Sequence, residues 1–96
     1  MSSVPSESTR CVQVRISGRV QGVGFRAWTE RRATRLGLSG WVRNLASGDV
    51  EAVFSGSAER VGAMLAACEQ GPRHARVEGV SIVADLPPFS GAFTIR

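Results

Sequence analysis

Apolar and polar residues alternate strictly over residues 11 to 17, "CVQVRIS", with Val12, Val14 and Ile16 on one face and Gln13 and Arg15 on the other. That is the period of a strand with one solvated side. The alternation gives way to a glycine-rich stretch, after which Phe25, Trp28 and Leu36 return at helical spacing, Ala27 and Ala33 fill in, and Gly37 follows as a C-terminal stop. This predicts a helix of about three turns. "LSGWVRNL" (38 to 45) and "DVEAVFSG" (49 to 56) are two extended runs separated by a short turn containing Gly48, the pattern of a hairpin. Ser57 is placed to cap a second helix, in which Val61, Met64, Leu65 and Cys68 fall at i, i+3, i+4 and i+7 before Gly71-Pro72 ends it. A further strand is predicted over 77 to 85, and beyond Pro87-Pro88 the segment "AFTIR" reads as a short edge strand.

The order strand, helix, strand, strand, helix, strand, with a hairpin at its centre, fits an α+β fold of the split βαβ, ferredoxin-like type. It predicts a βαββαβ sandwich in which one antiparallel sheet carries two helices on one face. A length of 96 residues suits one domain, expected over residues 10–96 after a disordered polar tail over 1–9, "MSSVPSEST". The tail lacks a basic segment followed by an apolar one, so it does not read as a signal peptide. No apolar stretch approaches the roughly 20 residues that span a bilayer. A cytoplasmic protein with no membrane partner, and a monomer, is the plain expectation.

Composition changes this picture little. The 43% hydrophobic and 21% charged fractions are ordinary for a globular protein. The net charge of +4 comes from arginine alone, since the chain has no lysine; it favours an anionic ligand but forms no dense tract. Cys11 and Cys68 are too few and too far apart for a zinc pattern and read as small apolar residues. His74 has no partner at metal spacing, so no metal site is expected.

The chemistry concentrates in "SGRVQGVGFRAW", residues 17 to 28. A glycine-rich turn between a strand and a helix exposes backbone N–H groups that have no intrahelical partner, at the positive end of the helix dipole. Arg26 adds a planar fork of donors suited to phosphate oxygens. Two readings of Arg26 stand at this point: an anion ligand, or one half of an i,i+4 ion pair with Glu30 on a solvated helix face. Gly22-Val23-Gly24-Phe25-Arg26-Ala27 also matches G-x-G-x-x-A. The dinucleotide fingerprint requires a parallel βαβ unit and an acid about 20 residues on, where this chain has Asn44, so a nicotinamide cofactor is not expected. Strand direction brings Asn44 to the same sheet edge as the glycine loop. Asn44 is therefore either a second ligand group, whose carboxamide both donates and accepts, or a turn-initiating residue bonded to its own backbone.

"GRVQGVGFR" (18 to 26), "LGLSGWVRN" (36 to 44), "DVEAVFSG" and "GPRHARV" (71 to 77) together resemble the acylphosphatase family, over nearly the whole chain after the tail. The resemblance implies the ferredoxin-like α/β sandwich, an acyl phosphate as small-molecule substrate, hydrolysis to carboxylate and inorganic phosphate, and no cofactor. It implies that Arg26 binds the phosphate, that the backbone amides of Val20, Gln21, Gly22, Val23, Gly24, Phe25 and Arg26 form the cradle, and that Asn44 orients the attacking water. Two positions depart from the family's pattern: Gly24, where many relatives carry a larger, often aromatic residue, and the hairpin turn "ASGDV", where a turn ending in Asp-Gly is commoner. No His, Cys or carboxylate pair falls near the loop, which suits a mechanism in which a substrate phosphate oxygen takes the water's proton.

Other positions have plainer readings. Trp28 and Trp41 are expected to pack rather than to stack on a ligand, and Glu30 to orient Arg26 or Arg35. If the tail pairs as a strand, the Arg96 carboxylate reaches the loop edge near Arg26. Two rivals share the fold. An RNA reader needs exposed aromatics on the sheet where this chain has Gln13 and Arg15, so no nucleic acid partner is expected. A carbamoyl-phosphate-handling domain like those of hydrogenase maturation proteins shares the arginine loop but belongs to longer chains.

Overall fold

The alternation of the first segment is realised in strand β1 (Thr9–Arg19) of the computed structural model, which describes residues 8–96. Val12, Val14 and Ile16 are fully buried on one face, and Arg15 is exposed on the other. The helical spacing is realised in α1 (Phe25–Arg35), the hairpin in β2 (Ser39–Asn44) and β3 (Val50–Ser57), and the second helical run in α2 (Ala58–Gln70). β4 (Arg76–Asp85) and β5 (Phe93–Ile95) complete the chain. The tail expected over 1–9 lies outside the described residues except for its last two positions. Thr9 already pairs with Ser57, so β1 begins two residues before the alternation is visible.

The five strands form one sheet in the order β4-β1-β3-β2-β5. β1 pairs antiparallel with β3 and β4, and β2 antiparallel with β3. The antiparallel expectation holds for these four strands. β5 departs from it by pairing parallel with β2. The reason is directional. β4 runs opposite to β1 and ends at the edge where β2 begins, so the chain must travel along that edge and re-enter the sheet in the direction of β2. Fully extended, the chain from Asp85 to Phe93 reaches roughly 27 Å, enough for the roughly 19 Å between the two outer strands. Two hydrogen bonds pin this crossing: Leu86 N–H donates to the Cys11 carbonyl (2.9 Å) and Phe89 N–H to Ser55 Oγ (3.0 Å).

Both helices cover one face. Phe25 and Ala33 of α1 and Val61, Met64 and Cys68 of α2 join Val12, Val14, Ile16, Val42, Ala52 and Phe54 in one core, and Phe54 stacks on Phe93 with ring centroids 5.7 Å apart. Burial pushes the Cys68 thiol up to about 12, against a smaller opposing pull from Arg32, so it stays a neutral core group. The open face carries a small second cluster of Cys11, Trp41 and Val53. There Glu51 accepts from Gln13 Nε2 and Arg43 Nε, both at 2.8 Å. Trp41 is covered by the Arg43 and Arg96 guanidinium groups, 5.2 and 4.4 Å from its ring centroid. Trp28 packs against the core beside Phe25. Both tryptophans therefore pack, as expected. No helix among the described residues is long and apolar enough to cross a membrane.

One core position works against stability. Thr29 of α1 is fully buried, and its hydroxyl has no hydrogen-bond partner among the described residues, a defect that costs roughly 1–3 kcal/mol. Valine keeps the branched shape and has a similar helix propensity. Thr29→Val is expected to raise stability by about 1 kcal/mol and Tm by several degrees, measured by thermal unfolding. An unchanged or lowered Tm would show that the hydroxyl is paired in solution.

Candidate active site

β1 and β2 run in the same direction because both lie antiparallel to β3 between them, and β5 runs parallel to β2. Their C-terminal ends therefore meet at one edge of the sheet. The first delivers the loop 20–24, the second Asn44 and the third Ile95. All three border a single open cleft of about 280 Å³.

The loop is shaped by its glycines. Gly22 and Gly24 have φ of 75° and 79°, in the left-handed region that side chains rarely adopt. Val23 between them has negative φ. A run of alternating handedness turns successive N–H groups inward to make an anion-binding concavity. A Cβ at Gly22 or Gly24 would meet nothing within 4 Å. At both positions a side chain would be strained by the backbone angle and not by crowding, and both glycines line the cleft.

Gly24 is also the N-cap of α1 and offers no side-chain cap, and the first turn of α1 contains no acid. α2 shows the contrasting arrangement, with its Ser57 cap accepting from the Arg60 N–H and Glu59 in its first turn. One helix start thus has a side-chain cap and an acid, while the other has neither, and its first N–H groups lie at the positive end of the helix dipole. Phe25 is 1% exposed, and its burial, worth about 2 kcal/mol, anchors the first turn. The next side chain, Arg26, is exposed and lines the cleft.

The sequence singles out seven loop residues and Asn44. Val20, Gln21, Gly22, Gly24, Phe25, Arg26 and Asn44 all line the cleft. Val23 is partly buried and packs on the core, so only its main chain is available to a ligand. An ion pair between Arg26 and Glu30 is not among the salt bridges of the described residues, which join Arg10 to Asp85, Arg15 to Asp49 and Arg43 to Glu51. Glu30 instead accepts from Thr34 Oγ1 at 3.4 Å. Arg26 Nη1 reaches the main-chain oxygen of Arg96 at 3.5 Å, a long contact that leaves most of its donors unused. Asn44 does not bond its own turn. That turn is closed by Leu45 N–H to the Asp49 carbonyl (2.8 Å), by Gly48 N–H to the Leu45 carbonyl (3.1 Å) and by Asp49 N–H to Ser47 Oγ (3.3 Å).

Two lining residues are not legible in the sequence as site residues: Ala27 and Ile95. Ile95 is 46% exposed, one of five large apolar residues left open among the described residues. It gives the cleft an apolar wall on the side away from the glycine loop. The signal for it is its spacing two residues from the buried Phe93, but its placement depends on the parallel pairing of β5.

The acylphosphatase family model matches residues 12–95. A protein from Rubrobacter xylanophilus named acylphosphatase is 55% identical over 93 residues, covering 95% of this chain and 84% of that protein. Among solved structures, an acylphosphatase from Coxiella burnetii superposes with a TM-score of 0.86 at 35% identity, covering 92% of this chain and 93% of that one. HypF from T. kodakarensis superposes with a TM-score of 0.77 at 28% identity, with 91% of this chain covering 12% of that one.

Proposed function

This chain belongs to the acylphosphatase family, whose members hydrolyse acyl phosphates to carboxylate and inorganic phosphate, and we propose that it does so in the cleft between the glycine loop and Asn44. The observation that carries this is the unneutralised start of α1, with Arg26 and Asn44 bordering the same space.

The phosphoryl group sits against the amides of residues 20–26, with the Arg26 guanidinium on its oxygens. These donors stabilise the charge that grows on the phosphoryl oxygens in the transition state. The Asn44 carboxamide accepts from the attacking water and turns an oxygen lone pair towards phosphorus. The P–O bond to the carboxylate breaks as the new P–O bond forms, and the water's proton passes to a phosphoryl oxygen. Because the carboxylate is a good leaving group, orientation and charge stabilisation suffice for catalysis. No side-chain carboxylate, histidine or cysteine lines the cleft among the described residues, consistent with the substrate taking the proton. A rate that followed the titration of a protein group, and not that of the substrate, would count against this step. The acyl portion extends towards Ile95.

The test is phosphate release from benzoyl phosphate, expected well above the uncatalysed rate, alongside salt-dependent RNA binding as the counter-measurement. Uncatalysed release together with tight RNA binding would reverse the assignment.

A further inference from the structure

The glycine loop and Asn44 must hold a fixed separation if one presents the phosphorus and the other the water. Yet they leave from β1 and β2, which are not neighbours. β3 lies between them, so no ladder joins β1 directly to β2; the strands are tied through β3, where Val50 pairs with both Ile16 and Asn44, and the glycine loop and the turn after Asn44 lie beyond those pairs. The main-chain hydrogen bonds formed by the turn after Asn44 remain within that turn.

The side chain of Gln21 bridges this gap. Its Nε2 donates to the Leu45 carbonyl at 2.8 Å and to the Asp49 carbonyl at 2.9 Å. These carbonyls stand at the two ends of the hairpin turn, and Leu45 directly follows Asn44. Each also accepts a bond within the turn, from Gly48 and Leu45 N–H respectively. The two acceptors fix which end of the amide is nitrogen, and they use both of its protons. The side chain is therefore committed to the hairpin, while the residue's main chain remains in the loop that borders the cleft.

We propose that Gln21 is a positioning residue, which sets Asn44 and its water at their distance from the phosphate cradle. The inference rests on the functional reading above. Few other side chains meet the requirement. Asparagine is one methylene too short, methionine has the length without donors, and a glutamate carboxylate would face two carbonyl oxygens with no proton to give. Loss of the bridge lets the Asn44 turn shift against the loop, and displacements of this kind slow reactions that depend on alignment. The cradle amides and Arg26 remain, so phosphate affinity does not follow.

The experiment compares wild type, Gln21→Met and Gln21→Glu, using benzoyl phosphate turnover and competitive inhibition by inorganic phosphate. Gln21→Met is expected to lose about tenfold in kcat, with the phosphate inhibition constant within about twofold of wild type. Gln21→Glu is expected to be at least as slow at pH 7. It should recover relative to wild type as pH falls towards the carboxyl range near about 4.3, because the protonated acid regains one donor. This ratio compares Gln21→Glu with wild type across pH and stands even if Gln21→Met does not fold. Wild-type kcat in a folded Gln21→Met, a phosphate constant that worsens in step with kcat, or a Glu-to-wild-type ratio that stays flat with pH would each overturn the proposal. A wild-type protein that released no phosphate would instead overturn the functional reading on which it rests.

Discussion

Arg26→Ala is expected to lower kcat/KM for benzoyl phosphate by at least about 10²-fold, by analogy with the loss of one oxyanion donor, while the protein remains as stable as wild type or becomes slightly more so. Both halves follow from where Arg26 sits. It is exposed in the first turn of a helix with no acid in that turn and no side-chain cap. A cation there opposes the helix dipole, and its hydrogen bond to Arg96 is a long one. Its side chain has no other hydrogen bond or ion pair among the described residues. Alanine removes the unfavourable charge and has the higher helix propensity. A folded variant with near-normal turnover would therefore sink the assignment directly, with no loss of structure to excuse it. Arg26→Lys sharpens the test. It keeps the charge but loses the planar fork, so it should recover part of the phosphate affinity and little of the rate. Full recovery by lysine would mean that charge alone is used and that paired donation to two oxygens is not.

The β1 and α1 faces are readable in the sequence because each has a local period: two for Val12, Val14 and Ile16, and near 3.6 for the helix. Strand direction is readable as well, since a strand, a crossing helix and a second strand leave the loop and Asn44 at one edge whatever lies between. What resists reading is everything set by distant pairing. β5 pairs parallel with β2 because of where β4 ends. No local pattern in "AFTIR" shows that, so the spacing from Phe93 gives the face of Ile95 but not its place in the cleft. Inside the glycine loop there is no period at all. That Val23 turns to the core while the Gln21 side chain spans to the hairpin is decided by the backbone angles at Gly22 and Gly24. The Arg26–Glu30 pair is plausible from spacing alone. In the fold, Glu30 bonds Thr34 one turn further on, which leaves Arg26 to the cleft.

Asn44→Ala should separate the two halves of the site. Asn44 is the last residue of β2, exposed, and bonded neither to its own turn nor to the loop opposite among the described residues. An asparagine kept for the turn would show its carboxamide bonded there. Here that work is done by the main chain and Ser47, so alanine removes little stability. In the proposed mechanism the carboxamide touches the water and not the phosphoryl group. Turnover is then expected to fall by about 10²-fold, on the scale that lost alignment of a nucleophile produces, with the inhibition constant for inorganic phosphate nearly unchanged. Asn44→Asp adds a second discrimination. It keeps an acceptor for the water but places a negative charge beside an anionic substrate, so phosphate binding should weaken as well, and more so at low salt, where screening is weak. If alanine weakened phosphate binding and spared turnover, Asn44 would belong to the cradle, and the water would have to be oriented by another group.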